Sequence, residues 1–120
     1  MRVGNASPDA GFNYSSTYVE GMQSGAISGR ETNASTFYVS ENDGGTYDMT
    51  IIHLMNYGNV TSYKTFLSRG NHQQTSTLWE SIADVGLWRS TAAINTINVF
   101  TTSSSFSSGS TFTLYGIAAA

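Results

Sequence analysis

The chain contains no cysteine. Disulfides, thiolate metal centres and cysteine nucleophiles are therefore excluded, while the redox compartment stays open. Charge is scarce as well: 11% of the 120 residues are Asp, Glu, Lys or Arg, against about a quarter in ordinary domains. A net charge of −3 is the wrong sign for tracking phosphates, so no nucleic-acid partner is expected. No apolar run approaches the roughly 20 residues that span a bilayer. No basic-then-apolar leader opens the chain, so neither a membrane partner nor a targeting segment is expected. The G-x-S-x-G elbow, the glycine-rich phosphate loops and the HExxH helix are all missing. No enzymatic activity, catalytic residue, cofactor or metal is expected.

What is present points to a folded β protein. Ser and Thr make up about a quarter of the chain, and aromatics reach 12%. Disordered chains combine few aromatics with much charge, which is the opposite balance. Thr, Tyr, Phe, Val and Ile favour strands, while Gly, Asn and Ser supply turns. A surface poor in Lys and Glu suits a protein pressed against copies of itself or a larger assembly. A small secreted β-domain is the alternative that composition leaves open.

Residues 1–11, with Gly4, Pro8 and Gly11, show little periodicity and are read as an irregular arm. Residues 12–120 are read as a single β-sandwich domain. Phe12, Tyr14, Ser16 and Tyr18 alternate along a strand face. Gly21, Gly25 and Gly29 mark a loop, with a short extended piece near Ala26–Ser28. Thr36–Ser40 reads as a short strand. Asn42-Asp43-Gly44-Gly45 is the clearest turn, since Asp-Gly tolerates positive φ. Thr46–Asn56 is the longest strand candidate, apolar on both faces at its middle, as for a strand covered on both sides or packed on a neighbouring subunit.

Tyr57-Gly58-Asn59 ends that strand, and Ser62–Arg69 alternates again before a turn at Arg69-Gly70-Asn71-His72. Gln74–Ser90 reads as two short strands joined near Ala83-Asp84. Thr91–Thr102 is strand-like, Ser103–Ser110 is a Ser-rich loop, and Thr111–Ile117 is a last strand with Phe112 and Leu114 inward. About eight short antiparallel strands with no long amphipathic helix predict an all-β fold of two packed sheets. A jelly-roll sandwich is the first arrangement and an immunoglobulin-like sandwich the next.

Few residues suggest chemistry. His53 lies among apolar residues in the longest strand and reads as a hydrogen-bonded packing residue. His72 sits in a Gly-Asn turn and reads as solvated. Glu41, Asp43 and Asp48 flank one turn, so calcium is conceivable, but the EF-hand pattern is absent and solvated acids are the simpler reading. Glycoside hydrolysis needs two facing carboxylates, and nothing in the sequence selects a pair. Tyr38, Tyr47, Tyr57, Tyr63, Trp88 and Tyr115 are the candidate interface residues, since such rings pack while their polar tips find partners. Outward tyrosines also suit sugar stacking.

The C-terminal third carries a resemblance. Gly86-Leu87-Trp88-Arg89-Ser90, then Ala93-Ile94, then Gly109-Ser110-Thr111-Phe112-Thr113-Leu114-Tyr115-Gly116-Ile117, resembles the ending of many small β-sandwich virion proteins of tailed bacteriophages. Leu54-Met55-Asn56-Tyr57-Gly58-Asn59, followed by Tyr63-Lys64-Thr65, is similar to the same group. The resemblance implies a non-enzymatic, self-associating protein, commonly a homotrimer. Among such proteins, a chain without a coiled-coil or collagen-like shaft looks most like a capsid cement, or decoration, protein. That implies a place on the phage head surface, with the major capsid protein as partner. A tail-fibre or receptor-binding tip module that binds host carbohydrate is the alternative.

Overall fold

The computed structural model describes residues 1–39, 48–73, 79–102 and 105–117. Among these the fold is all-β and antiparallel. There is no helix among them, and so none long and apolar enough to cross a membrane. The strands are β1 (Arg2–Gly4), β2 (Tyr14–Met22), β3 (Gly25–Ala34), β4 (Asp48–Met55), β5 (Lys64–Gln73), β6 (Trp79–Trp88) and β7 (Thr96–Asn98). Five form one sheet in the order β3-β2-β6-β5-β4, and β1 with β7 forms a second, two-stranded sheet. Two antiparallel sheets were expected. The described residues hold seven strands rather than about eight, and the second sheet is only a ribbon.

The large sheet has one covered face. Tyr14, Ser16, Tyr18, Glu20 and Met22 share it on β2, and the register aligns them with Trp88, Gly86, Asp84, Ile82 and Glu80 on β6. On β5 the same rows continue through Lys64, Phe66, Ser68, Gly70 and His72. The upper rows hold the core: Met1, Val3, Tyr14, Phe37, Phe66, Trp88 and Ile94 are buried together. Ile52 and Leu54 of β4, and Ile97 and Val99 around β7, pack against it. The Phe37 ring lies 5.0 Å from that of Phe66 and directly over Gly86. A Cβ on Gly86 would stand 1.9 Å from Phe37 Cε2, so only a glycine lets the ring down onto the sheet.

Buried polar groups in this core are satisfied. The Tyr14 hydroxyl accepts from Val3 N–H at 3.0 Å and donates to Val3 O at 2.9 Å. Trp88 Nε1–H donates to Asp9 Oδ2 at 2.8 Å, while Asn13 and Gly11 donate to the same carboxylate. Burial alone would raise the Asp9 carboxyl, but these three donors outweigh it and hold it below the usual range. Lys64 is buried beside Trp88, and its ammonium donates to Ser62 O and Thr91 O at 2.7 and 3.1 Å. Burial lowers its pKa.

Several sequence expectations are corrected here. The stretch around Gly25 and Gly29 is a full strand in a hairpin with β2. Residues 36–39 form no strand; Phe37 serves the core from a loop. β5 runs straight through the expected turn at Arg69–His72, because β4 and β6 pair with it on both sides. β6 is one continuous strand, with no break at Ala83-Asp84; its expected start at Gln74 lies outside the described residues. Of Thr91–Thr102 only Thr96–Asn98 is strand. Within residues 1–11, Arg2–Gly4 pairs with β7 on its own chain. The Asp43-Gly44 turn, Glu41 and Tyr47 lie outside the described residues. The turn at Tyr57–Asn59 is present: Asn56 adopts a φ of 58°, and Asn59 Oδ1 accepts from the Thr61 and Ser62 amides.

The last expected strand is the largest departure. Residues 111–117 belong to no sheet. Phe112 and Leu114, expected inward, are 63% and 79% exposed. A strand needs an edge to pair with, and among the described residues the segment pairs with none.

Candidate functional site

Two features of the surface stand out. The first is apolar. In Thr111–Ile117, Tyr115 and Ile117 are exposed like Phe112 and Leu114, at 83% and 81%. The Phe112 ring meets Phe106 edge-on at 4.8 Å. Beyond that, Tyr57 Oη donates to Ile117 O at 3.2 Å, which places the end of the segment beside the end of β4. The outer face of the large sheet is apolar too. Met49, Ile51 and Met55 on β4, Val85 and Trp79 on β6, and Val19 on β2 are all exposed there. β4 is an edge strand, so among the described residues its outward backbone groups lack a ladder partner.

The interface candidates distribute accordingly. Tyr38, Tyr57, Tyr63 and Tyr115 are exposed. Trp88 is buried at 3% exposure, so its ring serves the core. Tyr47 lies outside the described residues. Tyr57 and the end of the segment that carries Tyr115 are brought together, whereas Tyr38 lies by the second feature.

That second feature is a cleft of about 430 Å³ on the lower half of the inner face, beyond the core. Its apolar walls are Met22, Ile27 and Ile82; Glu20, Glu31, Glu80 and Asp84 bring carboxylates, with Tyr18 and Tyr38 beside them. Asp84 is the centre. It is 2% exposed, and neither carboxylate oxygen has a hydrogen-bond partner among the described residues. The register explains this. Its cross-strand neighbours are Tyr18 and Ser68. Ser68 Oγ donates instead to Val39 O at 2.7 Å. The Tyr18 ring leans the other way and lies over Gly29, where a Cβ would stand 2.5 Å from ring Cζ. Both neighbours turn aside and leave the carboxyl unpaired beside the cleft. Burial, and then the negative charge of Glu31, push its pKa up to about 7.

The histidines also differ from expectation. His53 is exposed on the outer face rather than packed inside. His72 is buried rather than solvated, with Nε2 at 2.9 Å from Glu80 Oε2. Among the described residues no three acidic or imidazole side chains converge to hold a metal ion.

The sequence missed Asp84 and Glu80 as site residues. The signal was present: Glu80, Ile82 and Asp84 recur at every second position, which puts two acids on one strand face. Placing a break at Ala83-Asp84 hid it. Comparison with known proteins found no match: no protein-family model, no curated protein and no solved structure matches the chain.

Proposed function

We propose that the chain is a non-enzymatic, self-associating structural protein of a phage virion, a capsid cement on the head surface with the major capsid protein as partner. The observation that carries the self-association is the C-terminal segment. Four large apolar side chains on seven residues, each more than 60% exposed, are costly in water at about 25 cal/mol per Å². Phe112 and Tyr115 alone leave on the order of 300 Å² of ring uncovered, at roughly 200 Å² per ring.

The segment's two apolar sides match a strand buried on both faces. The free edge of β4 is eight residues long and apolar. Addition of the segment from one copy to β4 of the next would pair both sets of backbone groups. Each copy gives one segment and receives one, which brings the buried area toward the roughly 800 Å² per partner of a stable interface. The jelly roll is then completed on assembly, with the segment as the eighth strand. A homotrimer follows from the family resemblance, and the apolar outer face meets the shell.

Sedimentation of the full chain at micromolar concentration tests this, beside a variant carrying Leu114→Asp and Ile117→Asp. The wild type is expected to sediment as a trimer and the variant as a folded monomer. A monomeric wild type, or a variant that still assembles, would overturn the reading. Wild-type trimer that fails to bind expanded phage shells would remove the head assignment.

A further inference from the structure

We propose that the cleft over Asp84 binds a guanidinium group on an apolar stem, the end of an arginine side chain presented by a partner protein. This goes beyond the self-association proposed above and does not depend on it.

The argument starts from an unpaired buried acid. A carboxylate closed off from water needs donors, and leaving it without them is costly. Asp84 is closed off, neither of its oxygens has a hydrogen-bond partner among the described residues, and the residue lines the cleft. Glu31, on the far side of β2, adds a second negative charge close enough to act on it. The walls at Ile82, Ile27 and Met22 are apolar. An apolar passage ending in carboxylates complements a long aliphatic stem with a cationic head. Two unpaired oxygens on one carboxylate favour the planar fork of arginine, which donates to both at once when the cleft yields to admit it. A volume of about 430 Å³ falls in the range of small-ligand sites, roughly 300–1,000 Å³.

The cation must come from outside this chain. There are five Lys and Arg residues in all, and every one has another place. Arg2 donates to Ser35 O and lies over the Phe100 ring. Arg89 donates to Phe12 O and Asn33 Oδ1. Lys64 is held by two carbonyls at the opposite end of the inner face. Arg30 and Arg69 pair with Thr17 and Ala83, on the outer face of the sheet.

A nuclear magnetic resonance titration of the full chain tests this, with ethylguanidinium chloride as probe and N-ethylurea as its uncharged counterpart. The guanidinium is expected to give saturable shifts at the Tyr18, Gly29 and Asp84 amides in the millimolar range, and the urea none. Asp84→Asn should weaken binding at least tenfold. Glu31→Gln, at an exposed position, should weaken it several-fold with the fold intact. No saturable shift, equal shifts with the urea, or undiminished binding by Asp84→Asn would each overturn the proposal. Tighter saturation of the same amides by calcium chloride would overturn it in favour of a metal site.

Discussion

Asp84 shows how one residue's setting is decided by its neighbours' side chains rather than by its own sequence context. Tyr18 lies on Gly29 and Ser68 reaches Val39, so the acid between them has no donor among the described residues. Its folded pKa, about 7, lies above the ordinary value of 3.8. The folded state therefore holds the proton more tightly than the unfolded state does. This stabilisation is complete below pH 3.8 and is lost as pH rises through 7. Glu31 faces the carboxyl from β3, Glu20 and Glu80 lie on the same sheet face, and His72 sits behind Glu80. Asp84→Asn removes the titration and leaves the shape. Its melting temperature is expected to exceed the wild type's at pH 8, by a stability gain of up to about 4 kcal/mol, and to match it near pH 4. Thermal unfolding across that range checks this; a constant offset at all pH values would contradict it.

At the scale of elements, what alternation can and cannot reveal becomes clear. The face shared by Tyr14, Ser16 and Tyr18 was legible, because period two survives any tertiary detail. So were most of β4 and the turn after it, where a polar Asn-rich stretch interrupts an apolar run. Glycine misled, since the same residue marks turns and close approaches. By sequence Gly29 suits a loop and Gly70 a turn, yet both lie inside strands. Gly86 sits under Phe37 for a reason that only the packed ring reveals. Gly86→Ala is expected to drive Phe37 off its seat at a cost of roughly 1–3 kcal/mol, read as a lower denaturant midpoint with unchanged slope. Adding Phe37→Leu, which clears the ring, should recover part of the loss. A neutral Gly86→Ala would show that the ring is free to slide.

The whole molecule has an uneven distribution of cover. The upper inner face is roofed by β1, β7 and the loop carrying Phe37. The outer face and the C-terminal segment carry large apolar side chains that stay exposed. The sequence held both halves of that fact, a low-charge surface and a strand-like ending. It could not show that the ending pairs with no strand among the described residues, because pairing is a property of edges that exist only once the sheet has formed. The imbalance sets an exchange pattern. β6 lies between β2 and β5 and β2 between β3 and β6, so their amides should open only with the whole sheet and exchange slowest. The amides of residues 111–117 lie in no ladder and should exchange quickly in dilute solution. If another copy's β4 receives that segment, their protection must grow with protein concentration while that of β6 barely changes. Hydrogen exchange followed over a concentration series, with the Leu114→Asp and Ile117→Asp variant alongside, reads this directly. Growth in the wild type and none in the variant is the expected outcome; protection independent of concentration would mean that the segment pairs within its own chain.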